Sequence, residues 1–435
     1  MIRRPPRSTP SNSSAASDVY KRQRYRRLKA ARRYARENGY KGAMFPWQSA
    51  SSGLEETQVI HLNPLSGKWD DDHSRLQRHI SFAIAYNLWK YYQATLDYDF
   101  MRDYGNELML SIGQFCASLV SLDKKDGRYH THNLMGPDEF HEKLPWSKSC
   151  GLKDNAYSNF MIAWILAKSL ELLDAMTEKE RNNLFKKLSL KENDIKRWKD
   201  ISGKMAIVFG DNEIISQFDG YFQLKELDFG KYRKKYGNIH RMDRILRAEG
   251  KSPDDYKVSK QADALMIFYL FNYEEFAEIF SNLGYEIDLD VIRKNYDYYV
   301  KRTSHGSTLS KLVHCYIAHQ VGYQKQAKKW YLEVLKSDYR DTQGGTTKEG
   351  VHIGVMGGSL DITLRCFAGL KSHHDKLFFS PNLPPNWKSM KFNFSYRGKE
   401  LRVEIGRKNI KIRPLKRSDS RKNFEIFVRD KKLEF

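Results

Sequence analysis

Between His73 and Ala94 the apolar residues Leu76, Ile80, Ile84, Leu88 and Tyr91 fall three or four positions apart. That spacing gathers side chains on one face of a helix. The same period predicts helices over 24–37, 97–120, 156–175, 178–188, 191–201, 258–271, 273–283, 306–320, 322–336 and 357–369. Near Leu377 the period drops to two. Phe392, Phe394 and Tyr396 alternate, Arg397, Gly398 and Lys399 supply a turn, and Leu401, Val403 and Ile405 alternate again. Ile410 and Ile412, then Phe424, Ile426 and Val428, continue the pattern. The chain is therefore expected to be mainly α, with a helical domain over 24–376 and a small C-terminal antiparallel β domain over 377–435. Pro381, Pro384 and Pro385 are read as the boundary.

Long connections interrupt the helical pattern, and chemistry on a helical scaffold usually sits on such loops. No apolar run reaches the roughly 18 residues needed to cross a bilayer. Cys116, Cys150, Cys315 and Cys366 are far apart and form no CxxC pair. Neither a zinc site nor a disulfide framework is signalled, and free thiols suit a cytoplasmic protein without a metal.

The formal charge of +22 would ordinarily suggest nucleic acid or an anionic membrane as partner. Its distribution argues against both, because residues 1–36 carry twelve Lys and Arg against the single acid Asp18. Residues 1–23, rich in Arg, Ser and Pro, show no apolar period and are expected to be disordered. They resemble translated sequencing-adapter text, so the remaining chain is expected to be a fragment of a longer protein. The rest of the chain is moderately basic, which suits a phosphate-bearing substrate.

Five loop segments stand out: GAMFPWQSASSGLEE (42–56), GPDEFH (136–141) with DNAYSN (154–159), SKQADALM (259–266), RTSHGSTLS (302–310) and GGTTKEGVHIGVMGGSLD (344–361). In this order they resemble glycoside hydrolase family 65, the maltose, kojibiose and trehalose phosphorylases and their hydrolytic relatives. The resemblance spans 40–405. It implies a partial (α/α)6 barrel whose first helices are missing, followed by the small β domain. The implied reaction is inverting phosphorolysis of an α-linked glucose disaccharide to β-glucose 1-phosphate. Inorganic phosphate would be the co-substrate, with no cofactor. A homodimer is the assembly expected of the full-length enzyme.

Cleaving a glycosidic bond needs a carboxylic acid to protonate the departing oxygen. Gly136 and Pro137 shape a turn that can present one, and the family's acid falls on Glu139. On motif form alone, Asp138 and Glu139 could equally cap a helix. On the opposite face of the sugar, a hydrolase needs a carboxylate base and a phosphorylase needs donors for an anion. Hydroxyls of Ser307 and Thr308, amides around Gly306 and the imidazole of His352 form such a donor set. The resemblance assigns Ser307, Thr308 and His352 to phosphate. Glu349 is the candidate base if the enzyme is a hydrolase. The motif departs from the phosphorylases, which commonly have His-Asp-Ser-Ser where this chain has His305, Gly306, Ser307 and Thr308. By resemblance Lys260 and Gln261 contact the transferred glucose. Trp47 is a stacking platform with Gln48 and Glu56 as hydroxyl partners, and Asn155 and Tyr157 line the leaving-group side. Gln217 and Asp219 are expected to be structural loop residues near the pocket.

Overall fold

The computed structural model describes residues 22–340, 350–415 and 424–433. The helices are α1 (Leu28–Glu37), α2 (His79–Thr95), α3 (Asn106–Ser118), α4 (Ala156–Asp174), α5 (Glu178–Leu188), α6 (Glu192–Lys204), α7 (Phe229–Tyr236) and α8 (Met242–Ala248). The series continues with α9 (Met266–Leu270), α10 (Tyr273–Asn282), α11 (Leu289–Val300), α12 (Thr308–Gln320), α13 (Gln324–Val334) and α14 (Ile353–Thr363). Helix α4 is buried around most of its circumference, as is α12. Their neighbours α5, α6 and α13 bury one face and leave the other to solvent. This difference follows from composition. Helix α4 is apolar on every side, whereas α5, ENDI-led α6 and α13 carry charge on one. Buried helices thus pack against helices that face solvent on one side, a layered α/α arrangement.

Inner helices begin on residues that cap them. Asn155 accepts from the Ser158 amide at the start of α4, and Ser307 accepts from the Leu309 amide at the start of α12. The loops that precede these helices carry the polar motifs. Two short hairpins, β1 (Ile60–Asn63) with β2 (Lys68–Asp71) and β3 (Val120–Leu122) with β4 (Tyr129–Thr131), ride on the helical body.

The C-terminal unit has a sheet in the order β11-β10-β6-β5, from β5 (Leu370–His373), β6 (Lys376–Phe379), β10 (Glu425–Val428) and β11 (Lys431–Leu433). A second sheet orders β7 (Ser389–Tyr396), β8 (Lys399–Gly406) and β9 (Ile410–Pro414). Leu377, Phe379, Tyr396, Leu401, Val403, Ile405 and Ile426 form their common core.

Several expectations are corrected. The strands begin at Leu370, ahead of Leu377, because β5 is half-buried along its whole length and has no alternating burial to signal it. Pro381, Pro384 and Pro385 therefore lie inside the β unit, in the connection between β6 and β7. The helix expected over 258–271 is reduced to α9, since Ser259 bridges Thr303 in parallel and the chain bends at Lys260 and Gln261. Helices α7, α8 and α11 were not expected. Arg22 and Gln23, placed in the disordered tail, are helical; residues 1–21 lie outside the described residues. Among the described residues no helix is long and apolar enough to cross a membrane.

Candidate active site

Residues 136–140 form a turn, and no helix begins there. The capping alternative for Asp138 and Glu139 is thereby removed. Glu139 adopts φ +67°, a left-handed conformation that costs a non-glycine residue about 1–3 kcal/mol. The turn is held by a buried polar network. Asp138 accepts from the Phe140 amide (2.8 Å), pairs with His141 Nδ1 (2.8 Å) and accepts from Gln217 Nε2. His141 Nε2 lies 2.9 Å from the Tyr256 carbonyl oxygen. Both ring nitrogens of His141 face acceptors, so both donate and the ring is an imidazolium. Burial opposes that charge, but the Asp138 carboxylate outweighs it and lifts the His141 pKa to about 9.

Asp263 lies behind the same turn and accepts from the Asp138 amide (3.2 Å) and from Asn155 Nδ2 (2.7 Å). Burial, then repulsion from Asp138, drives its pKa upward. Gln217 joins the network through Ser259, whose hydroxyl donates to Gln217 Oε1 (2.9 Å).

This anchoring turns Glu139 toward the segment 260–261. Lys260 Nζ donates to Glu139 Oε2 (2.8 Å), and Gln261 Nε2 donates to Oε1 (2.9 Å) and to the Pro137 carbonyl (2.6 Å). The next loop is stitched on by backbone bonds from the Ser259 amide to Arg302 O, from Ser304 to Ser259 O and from Gly306 to Lys260 O. Gly306 meets Lys260 without a side chain in the way. A Cβ there would sit 3.1 Å from Lys260 Cγ and 2.3 Å from the His240 carbonyl oxygen. The loop delivers Ser307 and Thr308 to the start of α12. Helix α14 begins alongside, its Gly354 facing Leu309 and its Gly358 pressed on Leu312. His352 caps that second helix, with its amide (2.7 Å) and Nδ1 (2.8 Å) on the Asp338 carboxylate. Lys260 thus links Glu139 to the Gly306 loop, which leads into α12, and α14 begins against α12; helix N-termini of this kind favour an anion.

Not every expected residue reaches this space. Asn155 is wholly buried, its amide on Asp263 and Gln217 and its carbonyl capping α4, so its side chain is spent on holding the Glu139 turn and the start of α4. Tyr157 is also buried, because the first turn of α4 points into the core. Trp47 is half-buried, edge-on to His79 at 5.6 Å, and His79 in turn lies 6.2 Å from Tyr157. Burial pulls the His79 pKa down to about 4, against a hydrogen bond with the Met135 backbone, so this ring is neutral. Gln48 and Glu56 are exposed and joined through the Glu56 amide and Gln48 carbonyl (3.0 Å). Glu349 lies outside the described residues. His305, at φ +57°, is buried on Ser310 Oγ (2.9 Å) against Trp330 and serves the loop's shape. Asp219 accepts from Lys153 Nζ (3.0 Å) at the surface.

Sequence reasoning passed over Asp263 and His141. Both sit inside the quoted motifs, and the spacing of Asp138 and His141, three residues apart in a turn, was the available signal.

The family model for the central catalytic domain of glycosyl hydrolase family 65 matches residues 7–361, and that for its C-terminal domain matches 370–435. The chain belongs to glycosyl hydrolase family 65. It is 44% identical over 382 residues to an uncharacterized glycosyl hydrolase of Mycobacterium tuberculosis, covering 88% of this chain and 29% of that protein. It is 42% identical over 382 residues to a trehalose 6-phosphate phosphorylase of Lactococcus lactis, covering 88% of this chain and 48% of that one. A kojibiose phosphorylase of Caldanaerobacter subterraneus is 31% identical over 94% of this chain and 50% of its own. This family 65 chain thus spans about half or less of the length of these relatives. Its fold matches a structure described as a putative kojibiose phosphorylase from the human microbiome, with TM-score 0.78 and 24% identity over 97% of this chain and 56% of that one.

Proposed function

We propose that the chain is the larger part of the catalytic unit of an inverting α-glucoside phosphorylase, with Glu139 as general acid. The observation that carries this reading is the run of contacts from Glu139 to Lys260, from Lys260 to the Gly306 loop, and from that loop into the Ser307 and Thr308 hydroxyls at the start of α12, all potential donors. Asp138 and Asp263, the carboxyl groups bonded to the turn, are buried behind it. A site built to activate water would place a free carboxylate across the sugar.

In this reading phosphate, held by Ser307, Thr308 and His352, attacks the anomeric carbon from the face opposite the glycosidic oxygen. A new C–O bond forms to phosphate as the old one breaks, and Glu139 passes its proton to the departing oxygen. The anomeric centre inverts, giving β-glucose 1-phosphate. Lys260 and Gln261 both donate to Glu139, so glucose hydroxyls would compete for these two donors on binding and free the carboxyl group to act. Trp47 flanks the glucose, with Gln48 and Glu56 on the outer loop. Ile353 and Leu360 on α14, 80% and 70% exposed, form an apolar face of the kind a neighbouring helix covers in a closed (α/α)6 barrel. Trehalose 6-phosphate is the first disaccharide to test, on the 42% identity to the phosphorylase of that name. Trehalose, kojibiose and maltose follow.

The test supplies each disaccharide with and without inorganic phosphate and follows glucose 1-phosphate and its anomeric form by NMR. Phosphate-dependent β-glucose 1-phosphate is expected, with Ser307→Ala and Thr308→Ala raising the KM for phosphate more than that for the sugar. Free glucose at full rate without phosphate, abolished by Glu349→Gln, would establish hydrolysis instead.

A further inference from the structure

The turn between β5 and β6 carries two adjacent histidines, His373 and His374. His374 stands at φ +51°, and this left-handed residue brings the two rings together at a centroid distance of 4.1 Å. Successive residues of an extended strand would point to opposite faces. Glu278 approaches from α10. One nitrogen from each ring and one Glu278 oxygen all lie within 4.8 Å of one another.

The approach is held by bonds that do not involve these three residues. Asn272 Nδ2, at the start of α10, donates to the Ser372 carbonyl (2.9 Å), and Lys371 pairs with Glu274 (2.5 Å). Glu278 follows Glu274 by four residues and therefore shares its face of the helix. Of the three acids on that helix, Glu274 is neutralised by Lys371 and Glu275 by Lys90 (2.6 Å). Glu278 makes no ion pair among the described residues. The Nε2 atom of His373 is buried and has no hydrogen-bond partner among them, a state that ordinarily costs about 1–3 kcal/mol.

We propose that Glu278, His373 and His374 form a binding site for a divalent transition-metal ion of the zinc class, clamping helix α10 to the C-terminal β unit. Two imidazoles and a carboxylate are a zinc-type donor set, with the fourth position left to water. Bonds of about 2.1 Å in tetrahedral geometry place ligand atoms about 3.4 Å apart. Small rotations of Glu278 and His374, both exposed, close the remaining gap. The other group of this kind among the described residues, Asp123, Asp126 and His130 on the β3–β4 hairpin, differs because His130 has both nitrogens engaged by Asp154 (2.6 Å) and Asp126 (3.0 Å). It serves as the control.

The experiment titrates tag-free, chelator-treated protein with Zn2+ in competition with a chromophoric chelator and records the visible absorption of the Co2+ form. One equivalent should bind, with a tetrahedral Co2+ spectrum and a raised Tm. His374→Asn, which tolerates the left-handed turn, and Glu278→Gln should each weaken Zn2+ binding at least tenfold while keeping the metal-free circular dichroism. Asp126→Asn should leave binding unchanged. Undiminished binding in both of the first two variants, no binding by the parent protein, or loss only in Asp126→Asn would overturn the proposal.

Discussion

Gly136→Ala is the substitution most sharply constrained by the site. A Cβ at this position would lie 2.1 Å from Asp263 Oδ2 and 2.3 Å from Asn155 Nδ2, more than an ångström closer than ordinary van der Waals contact. Neither side chain can swing away. Asp263 is held by the Asp138 amide and by Asn155, and Asn155 is held by Gln217 and Ser158. Overpacking in a close-fitted interior costs about 1–3 kcal/mol, and a buried hydrogen bond broken in the process a further 1–3 kcal/mol. The expected destabilisation is therefore roughly 2–6 kcal/mol. If the turn yields instead, it carries Glu139 with it, and a displacement near 1 Å is worth about a hundredfold in rate. Urea unfolding and turnover measured on one preparation separate these outcomes, and at least one must change. A variant within about 0.5 kcal/mol of the parent in stability and within threefold in turnover would refute the packing argument.

Three further outcomes are expected. Glu139→Gln should lower turnover by about 10²–10⁴-fold on a poor leaving group while substrate still binds, since the amide cannot deliver a proton; a loss under tenfold would remove Glu139 as the acid. His141, with its folded pKa raised from 6.5 to about 9, contributes stability that is fully present below pH 6.5 and lost as pH rises through about 9. The urea midpoint should therefore fall across that window, and His141→Asn should remove this part of the slope; an unchanged slope would contradict the imidazolium assignment. Asn155→Ala should destabilise the protein by about 1–3 kcal/mol and lower kcat more than it raises the KM for the disaccharide, because Asn155 acts through the Glu139 turn. A change confined to KM would restore it as a sugar ligand.

The periods of the apolar residues determined the class of this protein from sequence alone. A 3.6-residue period and a two-residue period each demand one kind of backbone, and each is local. Hence α5, α12 and the β7–β8 hairpin were legible, whereas α7, α8 and α11 were not. Helix α7 is a short run led by Lys, Arg and Tyr, and it buries only Phe229 and Tyr232. The loops that carry Glu139, Lys260, Gln261, Ser307 and Thr308 were legible as polar interruptions of the apolar periodicity, whereas the roles of those residues were expected only from the family resemblance. Which of them point at one another was not legible. A parallel bridge between Ser259 and Thr303 brings Lys260 to the Gly306 loop, a buried Asp138–His141 pair fixes the Glu139 turn, and Asp263 and Gln217 hold Asn155 inward. Those are contacts between residues remote in the chain or settled by burial. Sequence names the groups available for chemistry, but only the tertiary structure decides which are spent on holding the site and which are left to face a substrate.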